Sequence, residues 1–242
     1  MQTLMQNFRF ALRMLSRSPG LTVTILLTLA LGIGANTAIF TVDYATLLAP
    51  LPYPQPDQLV MVWSKIQGSR NGVSAGDYLD WKRQSTVFQD LNAWTGTSFN
   101  VATKEQPEFI QATTSTVGSL RMMGDPLFLG RYFLPEEGTA GRDHVVILTH
   151  KLWAKLGAKR DIIGTTLRLN GEPYTVVGVQ RPGNHDKGDS QLTVPLVFKP
   201  DQINHDFHWL LVMGRLKPGV TLEQARQNMD AVTKRIAETY PK

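Results

Sequence analysis

The sequence predicts an α+β protein in which a single N-terminal transmembrane helix is followed by an exported domain of mixed strands and helices. Three observations support this fold class: an uncharged apolar stretch near the N-terminus, arginines on only its N-terminal side, and mixed strand and helix patterns downstream. The chain has 242 residues, of which 42% are hydrophobic and 19% charged, a composition typical of globular proteins rather than disordered ones.

The apolar stretch runs from Leu21 to Val42 and contains no charged residue. About 20 helical residues cross the hydrocarbon core of a bilayer, which is about 30 Å thick. We therefore predict a transmembrane helix over residues 19–43. One alternative is a cleaved signal peptide, although its apolar core is usually only about 7–15 residues long. The other is a helix buried in a protein core.

The basic residues on either side of this stretch predict its orientation. Arg9, Arg13 and Arg17 precede it, and the next basic residue is Lys65. Since Lys and Arg are retained on the cytoplasmic side, the N-terminus should be cytoplasmic and the chain after about Asp43 should lie outside the cytoplasm.

Residues 1–18 have the pattern of an amphipathic helix. Arg9, Arg13 and Arg17 lie four residues apart on one face. The opposite, apolar face carries Leu4, Met5, Phe8, Ala11, Leu12 and Leu15. Such a helix should lie on the cytoplasmic membrane surface with its arginines toward anionic headgroups; the alternative is a basic flank that frays. The sequence Ser18-Pro19-Gly20 should separate it from the spanning helix.

Within the predicted span, Ala30, Gly34 and Ala38 recur every four residues. Small side chains at this spacing allow a second helix to approach closely in a membrane. We therefore predict helix packing along this stripe.

A proline-rich segment, residues 50–56, marks the start of the exported domain, which we place at residues 50–242. Alternating prolines favour an extended polyproline II strut between membrane and domain. Predicted strands beyond it cover residues 59–63, 99–102, 108–117, 145–148, 166–169, 174–179, 192–198 and 209–216. Predicted helices start after Ser74, near Lys151 and after Thr221, and end near Arg83, Leu156 and Tyr240.

Three local patterns sharpen these assignments. Asn170-Gly171 is a hairpin-turn signal between two predicted strands. Pro195 should place its strand at an edge of the sheet or break it. Thr221 with Gln224 forms a capping box at the start of an amphipathic C-terminal helix.

The residues that carry most enzyme chemistry are missing or poorly placed. The chain has no cysteine, which excludes thiolate sites, and its net charge of +5 is scattered, so no nucleic-acid partner is predicted. His205 and His208 lack a third zinc ligand and should be exposed loop histidines. Glu136 and Glu137 are adjacent and should point apart. We predict no enzyme activity, no cofactor and no metal site.

Several segments together resemble MacB/FtsX-type ABC transporter permeases. They are the helix segment LALGIGANTAIF (29–40), the segment 50–60, GRYF (130–133), LNGEPYTVVGV (169–179) and GRLKPGVTLEQA (214–225). No single segment is diagnostic, but their order and spacing across nearly the whole chain are specific. The resemblance identifies the region after the helix as similar to the MacB-like periplasmic core domain.

The resemblance implies a two-lobed mixed α/β periplasmic core domain, with lobe one formed by residues 50–120 and 200–242 and lobe two by residues 121–199. It also implies a bacterial inner-membrane location and a permease component of an ABC transporter acting in efflux or mechanotransmission. The implied partners are the membrane, a cytoplasmic ABC ATPase subunit, a periplasmic adaptor protein and a second copy of the chain in a homodimer.

The chain departs from that family in one respect. Such permeases continue into three further transmembrane helices, whereas this sequence stops at Lys242, and it contains no nucleotide-binding phosphate loop. We therefore expect a truncated gene, a fragment or one part of a split permease. The alternative function is a membrane-tethered periplasmic protein-binding module without transport activity.

Overall fold

The computed structural model describes residues 6, 10, 13–44, 53–102, 107–183 and 188–240. The chain divides into two compact units, residues 1–51 and residues 52–242. We refer to them as the helical unit and the sheet unit and describe each by itself.

The helical unit contains the predicted apolar helix, α1 (Pro19–Asp43). Ser18 is non-helical and Pro19 occupies the first turn, where the missing N–H of proline costs nothing. Its 25 residues span about 37 Å, and none of them is buried. Of the described helices, α1 alone is long and apolar enough to cross a membrane. The predicted helix at residues 19–43 is thus present in the structure.

The hydroxyl groups of α1 bond to its own backbone. Thr24 donates to the carbonyl of Gly20 at 3.0 Å, and Thr28 donates to that of Thr24 at 2.8 Å. Thr41 donates to the carbonyl oxygen of Thr37 at 2.7 Å. Because a bilayer core offers polar groups no water, these internal bonds suit the helix to an apolar environment.

The sheet unit mixes many short strands with a few helices. Its described strands are β1 (Leu59–Val62), β2 (Ser64–Ile66), β3 (Ser69–Asn71), β4 (Val73–Ser74), β5 (Phe88–Ala102), β6 (Pro107–Ser115), β7 (Leu127–Gly130), β8 (Val145–Leu148), β9 (Thr166–Leu169), β10 (Glu172–Gln180), β11 (Ser190–Pro195) and β12 (His208–Leu216). Its α-helices are α2 (Ala75–Gln84), α3 (Ser119–Met123), α4 (His150–Lys155) and α5 (Leu222–Thr239).

Most of these strands form one mixed sheet with the order β1-β12-β5-β6-β11-β8-β10-β7. Strand β4 pairs with β12, and β9 pairs with both β10 and β5, while β2 and β3 form a separate hairpin. The pairs β8–β10 and β6–β11 are parallel, and the other neighbours are antiparallel.

Helices α2 and α5 cover the end of the sheet that contains β12 and β5. Tyr78 and Trp81 of α2, Leu210 of β12 and Val232 of α5 share one buried cluster. A second cluster lies beneath α4, where Leu152 and Trp153 belong to the same buried cluster as residues of β5, β6, β8, β9, β10 and β11. These buried faces explain why the helices form where the apolar period of the sequence predicts them.

The predicted helix caps and hairpin are present. The hydroxyl oxygen of Ser74 accepts a hydrogen bond from the amide of Asp77, and Thr221 and Gln224 form the reciprocal capping box. Asn170 and Gly171 both have positive φ, 52° and 87°, as a two-residue hairpin turn requires.

Strand β11 was predicted either to lie at an edge of the sheet or to be broken at Pro195, and the second alternative is confirmed, since the strand ends at Pro195 and not at residue 198. It is not an edge strand, because it lies between β6 and β8. The sheet accommodates Pro195 because this residue ends the strand, and the pairs with β8 involve only Leu192 and Thr193. The missing N–H of Pro195 is therefore not needed in that ladder.

The predictions from the sequence were also wrong about the length or the existence of other elements. Strand β5 begins at Phe88, well before the predicted residue 99, and β2, β3, β7 and α3 were not predicted. In the proline-rich segment, Gln55 is left-handed and Pro56 begins a 3₁₀ turn, so the extended strut does not continue to Pro56. The remainder of that segment up to residue 52 lies outside the described residues.

The sheet passes through both predicted lobes. Strand β6, assigned to lobe one, pairs with β11 of lobe two, and β5 of lobe one pairs with β9 of lobe two. The lobe boundaries at residues 120 and 200 stay a prediction.

Candidate functional site

The predicted membrane-surface residues lie at the N-terminal side of α1. Residues 13–17 are helical, and Arg13 and Arg17 are exposed. They lie one helical turn apart on the same side of that helix. Arg9 lies outside the described residues. The contact of these arginines with lipid headgroups stays a prediction.

The predicted packing residues Ala30, Gly34 and Ala38 lie along one side of α1 and are exposed. A Cβ atom added at Gly34 would meet no atom within 4 Å. The stripe is therefore open to a second helix, and its use in helix packing stays a prediction.

The structure brings the two predicted loop histidines to a pair of aspartates on α2. The Nε2 atom of His205 lies 3.1 Å from Asp80 Oδ2 and 4.0 Å from Asp77 Oδ1. The Nε2 atom of His208 lies 3.7 Å from Asp77 Oδ2. Their side chains are only 21% and 13% exposed, so the prediction of exposed histidines is wrong. Helix α2 folds back onto the loop that precedes β12, which the sequence did not reveal.

This histidine–aspartate cluster joins that loop to α2. The amide of Gly76 donates to the carbonyl of Asn204 at 2.9 Å, and a Cβ at Gly76 would lie 2.8 Å from that oxygen. Asp80 also pairs with Arg83. Among the described residues, no group of three His, Cys, Asp or Glu side chains has the geometry to hold a metal ion. We assign the cluster a structural role.

The GRYF segment forms an ion pair at the end of β7. Arg131 donates two hydrogen bonds to Glu137, Nη1 to Oε2 at 3.0 Å and Nη2 to Oε1 at 2.6 Å. The amide of Leu134 donates to the same carboxylate at 2.8 Å. Burial alone would raise the pKa of Glu137, but these hydrogen bonds and the charge of Arg131 lower it below its ordinary value.

Replacing Glu137 with glutamine should lower the free energy of unfolding by about 1–2 kcal/mol near pH 7, because a charge-assisted bidentate pair is lost. Arg131 is 44% exposed, which keeps the effect modest. A carboxyl group with a lowered folded pKa stabilises the protein fully above its unfolded pKa of about 4.3 and loses that stabilisation as the pH falls through the folded value. The difference between wild type and E137Q should therefore shrink below about pH 4.3.

Urea unfolding of the full chain at a series of pH values measures this difference. The matched control is Glu136→Gln, since Glu136 neighbours Glu137 but is exposed. A difference between wild type and E137Q that stays constant from pH 7 to pH 3, or an equal loss in E136Q, would contradict the assignment.

Arg215, in the GRLKPG segment, is a buried arginine that binds backbone carbonyls. Its Nη1 atom donates to the carbonyls of Pro54 at 2.9 Å and Gln55 at 3.3 Å, and its Nη2 atom donates to that of Met122 at 2.6 Å. It is only 8% exposed. Arg215 thereby fastens the first described residues of the sheet unit to strand β12 and to the C-terminal part of α3.

A cavity of about 330 Å³ lies on the sheet face that α3 borders. We refer to it as the hydroxyl-lined cavity, after the six hydroxyl side chains in its wall: Thr113, Ser115, Ser119, Thr149, Ser190 and Thr193. Gln180 adds an amide, and Trp94 and Tyr53 add aromatic rings. Sequence reasoning missed this cavity, because its wall comes from five strands and a short helix that are far apart in the chain. The one local signal was the threonine-rich end of β6.

Comparison with known proteins gives one matching family and several similar folds. Residues 22–232 match the family model described as the MacB-like periplasmic core domain. Among curated proteins, none matches the sequence.

Three solved structures share the fold at low identity. A domain of a protein described as a permease from Porphyromonas gingivalis has a TM-score of 0.60 and 17% identity, over 76% of this chain and 86% of that one. The periplasmic region of MacB from Actinobacillus actinomycetemcomitans has a TM-score of 0.55 and 16% identity, over 76% and 84%. The extracellular domain of the noncanonic ABC-type transporter YknZ from Gram-positive bacteria has a TM-score of 0.53 and 16% identity, over 75% of this chain and 92% of that one.

Proposed function

The chain belongs to the MacB-like periplasmic core domain family, and from that premise we propose that it is a membrane-anchored permease component of a MacB-like ABC transporter. In this role, a separate cytoplasmic ATPase supplies the energy, and the sheet unit engages partners outside the cytoplasm for efflux or mechanotransmission. The observation that carries the proposal is the combination of this family match with a spanning-length helix that buries none of its apolar side chains.

The proposed orientation is N-terminus in the cytoplasm and sheet unit outside. Arg13 and Arg17 lie directly before α1, whereas the first basic residue after it is Lys65. An excess of Arg and Lys close to one end of a spanning helix retains that end in the cytoplasm.

The proposed membrane contacts use two sides of the N-terminal region. Arg9, Arg13 and Arg17 would face anionic headgroups. The small-residue stripe of α1 would pack against another spanning helix, from a second copy of the chain or from another membrane component. An ATPase that moves such a partner helix would thereby move α1 and the sheet unit that follows it in sequence.

Orientation can be measured on the full chain carrying a C-terminal tag. In spheroplasts, external protease should remove the tag from nearly all molecules, and carbonate washing should leave the full-length chain in the membrane. A triple variant with Arg9, Arg13 and Arg17 replaced by glutamine should leave part of the tag protected, because the positive charges that retain the N-terminus are gone.

The matched control removes three arginines from the sheet unit instead, with Arg160, Arg168 and Arg226 replaced by glutamine. This variant should behave as wild type in the protease assay. A shortened chain that carbonate extracts would show that α1 is a cleaved signal, and a tag protected in the wild type would reverse the orientation. Either result would refute the proposed role.

The transport role itself depends on an ATPase partner. Mild solubilisation followed by affinity capture of the tagged chain should recover a stable complex with an ABC ATPase subunit. The alternative is a membrane-tethered binding module that needs no ATPase, and the hydroxyl-lined cavity is the observation that favours it. Capture of a partner from outside the cytoplasm, with no ATPase recovered, would support that alternative.

A further inference from the structure

The pairing register of the strands places the polar side chains of the hydroxyl-lined cavity on one face of the sheet. Ser115 on β6 is paired with Trp94 on β5, and Thr113 is paired with Thr193 on β11. Paired residues on neighbouring strands place their side chains on the same face. Three adjacent strands therefore present hydroxyl groups and one indole ring to the same space.

Ser115 has hydrogen-bonding capacity that no described side chain or backbone group uses. The residue is only 2% exposed, and its Oγ atom is buried without a hydrogen-bond partner among the described residues. Its backbone carbonyl is already bonded, since it accepts from the amide of Leu196 at 2.7 Å. Leaving a buried hydroxyl unpaired costs about 1–3 kcal/mol, so this group is expected to meet a partner from outside the chain.

The neighbouring hydroxyls are held in defined positions. Thr113 and Ser190 are hydrogen-bonded to each other at 2.9 Å, and Ser190 also donates to the carbonyl of Leu192 at 3.2 Å. Since Ser190 uses its proton on that carbonyl, Thr113 is the donor to Ser190. The lone pairs of Thr113 then remain available as acceptors. The wall thus offers oriented acceptors beside the unused donor and acceptor of Ser115.

The apolar part of the wall is aromatic. Trp94 and Tyr53 both line the cavity, together with Met123 and Met213. A flat indole beside a cluster of hydroxyls suits a ring that has one apolar face and polar edges. Burial raises the pKa of Tyr53, with the negative charge of Asp125 adding to the effect, so its phenol stays a neutral donor.

The charged residues of the cavity wall further restrict the class of ligand that the cavity could bind. The cavity wall contains no lysine or arginine among the described residues, and its one ionisable acid, Asp189, is exposed. An anionic ligand would find no counter-charge among these described wall residues and would lose its hydration. The volume of about 330 Å³ lies at the small end of the range for ligand sites, about 300–1,000 Å³.

We propose that the hydroxyl-lined cavity is a binding site for a neutral polyhydroxylated ligand of monosaccharide size, whose ring packs against Trp94 and whose hydroxyl groups bond to Ser115 and Thr113. This site is independent of the transport role, because it needs neither the membrane helix nor an ATPase. It is therefore tested separately from the proposed function.

The test is direct binding of N-acetylglucosamine to the full chain, purified in a polyoxyethylene detergent so that no sugar headgroup competes. Saturation-transfer NMR and titration should show saturable binding with a Kd on the order of 1 mM, as expected for so small a neutral ligand. Glucuronate, which is anionic, and cyclohexanol, which lacks the hydroxyl pattern, should bind at least about tenfold more weakly.

Two variants locate the site. Ser115→Ala should weaken binding about five- to tenfold, the effect of one hydrogen bond, without lowering the thermal midpoint, since the hydroxyl has no partner among the residues that the structure describes. Trp94→Leu should weaken it similarly through lost stacking. The matched control is Ser98→Ala on β5, whose hydroxyl lies outside the cavity and bonds to Gln111; it should bind as wild type.

Three results would overturn the proposal. They are no saturable binding of N-acetylglucosamine by the folded wild type, equal or tighter binding of glucuronate, and wild-type affinity in both S115A and W94L. In the first case the cavity holds only water. If S115A fails to fold, W94L alone decides between the proposed site and another one.

Discussion

Replacing Arg215 with alanine is expected to lower the free energy of unfolding of the sheet unit by about 3 kcal/mol. The guanidinium makes three hydrogen bonds to the carbonyls of Pro54, Gln55 and Met122, and the substitution would leave these acceptors without their donor. Hydrogen bonds from a charged donor contribute about 1.5–3 kcal/mol each, and the carbonyls that water can reach will recover part of the loss.

Arginine is needed at this position because of its shape as well as its charge. The two Nη atoms reach two different segments, residues 54–55 and residue 122. A lysine carries one ammonium group and cannot reproduce this planar fork. Arg215→Lys is therefore expected to recover less than half of the lost stability.

Denaturant unfolding of the full chain in detergent measures both effects. All five tryptophans lie in the sheet unit, so their fluorescence reports its unfolding. The control is Arg226→Ala, since Arg226 is 67% exposed and lies 3.9 Å from Glu223. This control should change stability by less than about 0.5 kcal/mol. An equal loss in R226A, or none in R215A, would show that the carbonyl contacts contribute little.

Gly130→Ala is expected to destabilise the sheet unit by about 3–4 kcal/mol through two separate costs. Gly130 has φ +76°, and a residue with a Cβ atom pays about 1–2 kcal/mol in this left-handed region. The new Cβ would also lie 2.2 Å from the carbonyl oxygen of Val177. That oxygen accepts the amide hydrogen bond of Arg131, so β7 would have to separate from β10.

A second glycine in the chain separates the two costs. Gly141 has a similar φ of +84°, but a Cβ there would meet nothing within 4 Å. Gly141→Ala should therefore lower the free energy of unfolding by only about 1–2 kcal/mol, which is the cost of the left-handed backbone conformation alone. Unfolding of both variants in the same denaturant series gives the difference, and equal losses would show that β10 yields to the added methyl group.

Gly130 and Arg215 also give a physical reason for two of the segments that resemble the permease family. Gly130 and Arg131 begin the GRYF segment, where the glycine permits close approach to β10 and the arginine pairs with Glu137. Arg215 lies in the GRLKPG segment. Both segments therefore hold the sheet unit together.

Local patterns predicted much of the secondary structure because their causes are local. The uncharged run of α1, the Ser74 and Thr221 caps and the Asn170-Gly171 turn each depend on neighbouring residues only. Strand β5 was predicted too short because its first part carries polar residues such as Asn92. The position is nevertheless fully buried, because Asn92 packs against Met122 of α3.

The sequence by itself determined the apolar helix, its flanking charge, the mixed class of the sheet unit and the family resemblance, all of which follow from short-range patterns and composition. Only the tertiary structure decided the inner position of β11, the half-buried positions of His205 and His208 beside Asp77, and the hydroxyl-lined cavity. These features arise where strands distant in sequence pair in a particular order. Hydrophobic period and turn chemistry specify each strand, but the partner of a strand depends on packing across the whole sheet.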